Sequence, residues 1–242
     1  MTYCIGIALK AGLVFCSDSR TNAGVDQIST YSKMRVFGVP GERQFFLLSA
    51  GNLASTQAVV HQLEMDMRQT ADASLLKFSS IAEAADYVGE TSVRRQARFR
   101  DLNPAGFDPK VTFIFGGQIR GEAPEIFLVY PEGNHITSSR DHPFLQIGES
   151  KYGKPILDRV IRADTDIAEA AKCAVVSMDS TLRSNLSVGP PIELRVYAAD
   201  SLQAGRHLRF EEDDPYLRQL SRGWNQKLIE AFTQLPPVDW SR

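Results

Sequence analysis

The chain has 242 residues, 43% of them hydrophobic and 23% charged, with a formal net charge of −2. That is the balance of a globular protein with a sizeable core. Charge of both signs is interspersed, which gives no electrostatic argument for nucleic acid or an anionic membrane as partner. Three widely spaced cysteines, Cys4, Cys16 and Cys173, suit a reducing compartment, each as a small buried apolar residue.

Met1-Thr2-Tyr3-Cys4-Ile5-Gly6-Ile7-Ala8-Leu9 has no basic n-region, and Lys10 interrupts it, so it does not read as a secretory signal. No run reaches the ~20 apolar residues of a membrane span. A cytoplasmic chain that starts at its first strand is expected. From Tyr3 to Leu9 large and small residues alternate with both phases apolar, the mark of a strand buried on both faces. Lys10-Ala11-Gly12 turns the chain, and residues 13–17 return as a second strand.

Strands are expected at residues 33–39 and 44–49. Leu53, Val60, Leu63 and Met67 then share a helical face, and Ile81, Ala84, Ala85 and Val88 begin another. More strands follow at 110–116, 125–130, 135–139 and 144–147. Ile167, Ala171, Ala174, Val175 and Met178 form the clearest helical stripe. A strand at 192–198 and a short segment around Leu208 lead to a last helix carrying Leu217, Leu220, Trp224 and Leu228, started by Asp213-Asp214-Pro215. Two mostly antiparallel sheets packed face to face, with helices outside both, would bury every one of these stripes. No repeat or linker divides the chain, so one domain over residues 1–242 is expected, with 236–242 as an extended tail behind Pro236-Pro237.

Thr2 follows the initiator Met, and removal of Met before a small residue would expose a hydroxyl and a free α-amine on one residue. An α-amine has a pKa near ~8, so a useful fraction is neutral and able to take the hydroxyl proton. Asp18 ends the second strand, which a hairpin brings beside the start of the first, near Thr2. Lys33 opens the third strand, where a lysine held by Asp18 would lower the pKa of a nearby reacting group. Taken singly, each has an ordinary reading: a Thr after Met, a turn-forming Asp, an exposed Lys.

Together these residues resemble a family. Asp-Ser-Arg-x-x-Ala-Gly at Asp18–Gly24, with Thr2 before it and Lys33 after it, is similar to the proteasome β subunits. Ser49-Ala50-Gly51-Asn52 resembles their Ala-Gly oxyanion turn. The wording Ser-Asp-Ser-Arg-Thr-Asn-Ala-Gly and Ser-Ala-Gly-Asn-Leu looks like one bacterial branch, the Anbu (ancestral β subunit) proteins. The resemblance implies an α+β, four-layer αββα sandwich of the N-terminal nucleophile hydrolase type. It implies a threonine-type endopeptidase in which Thr2 attacks, Lys33 and Asp18 tune the site, and Gly51 offers its N–H to the oxyanion. Asp179 and Ser150 are implied beside the amine, with Glu149, Ser184 and Ser187 as further groups there.

The resemblance also implies peptide or protein substrates and a homo-oligomer, a ring or an open ring-like assembly, with room for an unidentified ATPase or adaptor. No cofactor and no metal are expected. The sequence departs from the family pattern at Tyr3, in a shorter Asp18-to-Lys33 interval, and at Gly148–Gly153. These departures leave open a weakly active shell protein or an amidase acting on a small amide. His61, His135, His142 and His207 lack ligand spacing with cysteines or carboxylates. The run Arg94–Arg100 reads as a solvated basic helix face or a contact to a neighbouring subunit.

Overall fold

Residues 3–18 fold into the expected antiparallel hairpin, β1 (Tyr3–Leu9) and β2 (Gly12–Asp18). Both strands are buried along nearly their whole length. The computed structural model describes residues 2–22, 28–69, 71–102 and 108–240. A short hairpin, β3 (Arg20–Asn22) and β4 (Ile28–Thr30), precedes β5 (Met34–Val39) and β6 (Arg43–Gly51). Two helices follow, α1 (Leu53–Arg68) and α2 (Ile81–Leu102), then β7 (Val111–Ile119), β8 (Glu125–Val129), β9 (His135–Thr137) and β10 (Phe144–Gly148). The rest of the chain forms α3 (Ser150–Val160), α4 (Ile167–Ser184), β11 (Ile192–Ala198), β12 (Arg206–Phe210) and α5 (Pro215–Thr233).

The strands make two antiparallel five-stranded sheets, ordered β10-β1-β2-β11-β12 and β5-β6-β7-β8-β9. Three buried clusters show how they stack. Tyr3, Ile5, Val14, Cys16 and Ile192 of the first sheet pack on Leu157 of α3 and Ala174 and Met178 of α4. Phe45, Leu47, Phe113 and Phe115 of the second sheet pack on Val59 and Leu63 of α1 and Ala85 and Val88 of α2. Between the sheets lie Cys4, Leu13, Phe15, Phe46, Leu48, Ile114 and Tyr197. The order is helices, sheet, sheet, helices, the four-layer αββα sandwich. Side chains of alternate parity on β1 enter two different cores, which is why both phases of that strand are apolar.

Aromatic contacts pin the inter-sheet layer. Phe46 meets Phe15 at 5.0 Å and Tyr197 at 5.5 Å between ring centroids, each pair contributing about 0.5–1.5 kcal/mol beyond area burial. The buried Tyr197 hydroxyl donates to Gln118 Oε1 at 2.7 Å and accepts from the Leu202 N–H at 3.3 Å. Local signals set the helix starts. Asn52 caps α1 by accepting from the Ser55 N–H, Asp166 caps α4, and Asp214 with Pro215 starts α5.

The last helix departs from expectation. None of its residues is fully buried. Only Leu217 and Leu220 pack against the core, while Trp224 lines an open groove of about 600 Å³ with Ile156, Val160 and Val176, and Leu228 is exposed. The stripe is not buried because α5 lies outside α4 and only its first turns meet the core. Other elements escaped the sequence reading: the short β3–β4 hairpin, α3, whose helical pattern Gly153 and Pro155 break, and β12, which the sequence shows only as a short segment around Leu208 because it is exposed except at Phe210. No helix of the described residues is long and apolar enough to cross a membrane.

All three cysteines are buried and unpaired. Burial raises the Cys4 and Cys16 thiols far above the ordinary range and pushes Cys173 up to about 12, so each is a neutral thiol at pH 8 and a poor nucleophile. The expected result with a thiol-reactive maleimide at pH 8 is no labelling of the native protein and three labels after denaturation. Rapid native labelling would contradict the packing described.

Candidate active site

The site is assembled at the end of the first sheet. Cys4 faces Ser17 in the β1–β2 register, so the chain just before Cys4 meets Asp18. The Tyr3 N–H donates to Asp18 Oδ1 at 3.0 Å. On the other side of Thr2's backbone, the Glu149 N–H donates to the Thr2 carbonyl at 2.8 Å. Thr2 is thereby held from both directions through its main chain, leaving its partly buried side chain free of that task.

Gly148 makes the second contact possible. It has φ +82, and a Cβ there would lie 1.8 Å from the Thr2 oxygen, so only glycine lets the two backbones close. Gly148→Ala is expected to lose about 1–3 kcal/mol, as for other overpacked sites, with a lower melting temperature and a displaced Thr2. A melting temperature equal to wild type would show that the contact is slack.

Asp18 is fully buried at 0% exposure and Lys33 is at 5%. Lys33 Nζ lies 2.6 Å from Asp18 Oδ1 and 2.8 Å from the Arg20 carbonyl. Asp18 Oδ2 accepts from the Gly189 N–H at 3.2 Å. Burial raises the Asp18 carboxyl above its ordinary range. The Lys33 ammonium and the N–H groups of Tyr3 and Gly189 pull it back down. The pair is a buried ion pair whose carboxylate is satisfied by hydrogen bonds, which is what such a pair needs in order to persist.

Lys33 is tied to the second sheet as well, its carbonyl accepting from the Ser49 N–H at 3.2 Å. Two residues on, β6 ends at Gly51, which has φ +117 and would carry a Cβ 2.4 Å from the Lys110 oxygen. Gly51 is exposed and stands directly before the N-cap of α1, where helix N–H groups favour negative charge.

Thus Thr2, Asp18, Lys33, Glu149 and Gly51 are joined through short contacts or the strand carrying them. Ser150 follows Glu149 as the first residue of α3. Asp179 Oδ2 lies 3.5 Å from Arg183 Nε, and Arg183 donates to Ser221 of α5. Ser184 is exposed at the end of α4. Ser187 lies in the turn that leads to Gly189, its hydroxyl donating to Asn185 Oδ1 at 2.6 Å. Ala23 and Gly24, part of the family-like motif, lie outside the described residues.

Gly189 was not foreseen. It binds Asp18, and its carbonyl accepts from the N–H groups of Ser19 and Arg20 at 3.3 and 3.2 Å. Its only signal in the sequence is a glycine before Pro190-Pro191 at the entry to a strand. Among the described residues no group of three or more His, Cys, Asp and Glu is placed to hold a metal ion.

Comparison with known proteins places this geometry. Residues 2–197 match the family model described as proteasome subunit. The chain is 23% identical over 210 residues to proteasome subunit beta 2 of Nitrosopumilus maritimus, covering 84% of this chain and 88% of that protein. Solved structures are much closer. Anbu from Yersinia bercovieri is 46% identical with a TM-score of 0.91, covering 98% of this chain and 99% of that one. The structure described as the helical assembly of the Anbu complex from Pseudomonas aeruginosa is 46% identical with a TM-score of 0.94, covering 99% of each. Anbu from Hyphomicrobium sp. strain MC1 is 48% identical with a TM-score of 0.89, covering 98% of this chain and 99% of that one. The agreement runs through the whole length, including α5 beyond the family model, and the chain belongs to the proteasome subunit family and, within it, to the Anbu (ancestral β-subunit) proteins.

Proposed function

We propose that the protein is a threonine-type peptidase whose nucleophile is Thr2, exposed by removal of Met1. The observation that carries this reading is the buried Lys33–Asp18 pair, tied through the Tyr3 N–H to the residue adjoining Thr2. The α-amine of Thr2 takes the hydroxyl proton as Oγ1 attacks the scissile carbonyl, and later returns it to the leaving amine. The charge of Lys33, fixed by Asp18, favours the alkoxide character that develops on Oγ1. The Gly51 N–H, at a helix start, meets the tetrahedral oxyanion. Water then hydrolyses the acyl-enzyme with the amine again as base. Ser150, the first residue of α3 and the neighbour of Glu149, orients the amine.

The whole chain acts as one unit and works as a homo-oligomer. Supporting this, the second half of α5 and the tail expose Phe232 at 74% and Trp240 at 90%, with Leu228, Ile229, Leu235 and Val238 also exposed. So much apolar surface on one segment marks an interaction face, and a related structure is described as a helical assembly. Light scattering is expected to give a mass several times the 26.9 kDa of the chain; a monomer at working concentration would contradict it.

The function is tested by turnover of a fluorogenic peptide panel and a set of small acyl-amides. Peptide hydrolysis that a threonine-directed epoxyketone abolishes is the expected result. Turnover of small amides alone would make the protein an amidase, and turnover of neither would make it a shell protein.

A further inference from the structure

Resting on the reading of Thr2, Lys33 and Asp18 as the reacting site, one buried acid outside that set has no evident reason to be there. Glu193 lies on β11 between the core residues Ile192 and Leu194 and is only 3% exposed. It pairs with Ser17 of β2 in the sheet register. It shares a face of its strand with Tyr197, which fills the layer between the sheets, so Glu193 lies at the end of that layer where the site is built. A buried carboxylate costs stability that an apolar residue on the same strand would not.

Its partners account for its presence. Among the described residues its hydrogen bonds come from two hydroxyls: Ser19 Oγ to Oε1 at 3.3 Å and Ser32 Oγ to Oε2 at 2.9 Å. Ser19 adjoins Asp18 and Ser32 adjoins Lys33. One carboxylate therefore grips the chain next to both members of the ion pair, across the gap between the first sheet and the loop entering the second. Two exposed side chains of β12 also approach it, His207 Nε2 at 3.4 Å and Arg209 Nη1 at 3.8 Å. Arg209 is itself engaged by Glu211 at 2.7 Å, and among the described residues the hydrogen bonds to the carboxylate come from the serines.

We propose that Glu193 is a positioning residue for the Lys33–Asp18 pair, setting its place relative to Thr2 by clamping Ser19 and Ser32. It touches no reacting atom. Loss of the clamp frees both flanking segments while leaving the substrate-binding surface in place, so it lowers the rate of attack more than the affinity.

The test compares Glu193→Ala, Glu193→Gln and Ser32→Ala in the full-length protein. Two readouts are used: epoxyketone inactivation resolved into kinact and KI, and hydrogen exchange of the segments spanning residues 17–22 and 31–35. Glu193→Ala is expected to lower kinact about 100-fold with KI unchanged and to speed exchange in both segments. Glu193→Gln, whose amide oxygen accepts from one serine hydroxyl while its N–H donates to the other, is expected to stay within about 5-fold of wild type. Ser32→Ala gives the same pattern in residues 31–35 alone, and it decides the matter if Glu193→Ala fails to fold.

Equal losses in kinact for Glu193→Gln and Glu193→Ala would overturn the clamp, as would unchanged exchange in both segments or a loss confined to KI. If the wild type takes no label, the peptidase reading fails, and the exchange arm still decides the role of Glu193.

Discussion

Thr2→Ala is expected to reduce peptide hydrolysis by about 10³-fold or more while leaving the fold and melting temperature nearly unchanged. The two effects separate because Thr2 is held by its backbone. Its carbonyl accepts from Glu149 N–H, and the next N–H donates to Asp18; neither contact uses the hydroxyl. Losing the hydroxyl and γ-methyl of a partly exposed threonine costs within about 0.5 kcal/mol. Thr2→Ser, which keeps a hydroxyl and an α-amine on one residue, should retain measurable turnover. Equal turnover by wild type and Thr2→Ala would place the nucleophile elsewhere.

The second large effect concerns Lys33. Lys33→Ala should lose both activity and stability, because it leaves Asp18 buried without its cation. Removing one partner of a buried pair costs about 3–5 kcal/mol. The sign of its pH dependence follows from Asp18. With Lys33 gone, burial acts with less opposition and raises the carboxyl further above the unfolded value near ~3.9. A carboxyl whose folded pKa is raised binds its proton more tightly in the folded state. Its stabilisation is therefore full at low pH and is lost as pH rises through the folded value. The stability deficit of Lys33→Ala should accordingly narrow as pH is lowered from 7 to 5.

Asp18→Asn combined with Lys33→Met should recover much of the stability, since no buried charge remains, and none of the activity. Urea melts of the wild type and both variants at pH 7 and pH 5 check this. A deficit that widens toward pH 5 would mean that Asp18 is not the group left unpaired.

The parts of this arrangement visible in the sequence are the local ones. The Thr2–Asp18 relation follows from a hairpin, whose register is fixed by the short turn at Gly12. The four layers follow from the same double burial together with helical stripes at 53–67, 81–88 and 167–178. Lys33 needed the family resemblance, because its approach to Asp18 spans two sheets and no periodicity encodes that.

Gly189 and Glu193 were illegible for a sharper reason. They reach the site because β11 pairs with β2 across more than half the chain, and pattern alone does not say which strands are neighbours. Asp179 lies on the helix that carries the clearest apolar stripe, where its carboxylate stands 3.5 Å from Arg183. The stripe of α5 was misplaced because its apolar residues suit an interface between molecules as well as a core.

The most direct test of the central claim is the intact mass of the purified protein before and after a peptide epoxyketone, which bonds to both the hydroxyl and the α-amine of an N-terminal threonine. The account predicts a chain lacking Met1 and one added inhibitor per chain, absent in Thr2→Ala. A retained Met1, or a free Thr2 that takes no inhibitor, would contradict it.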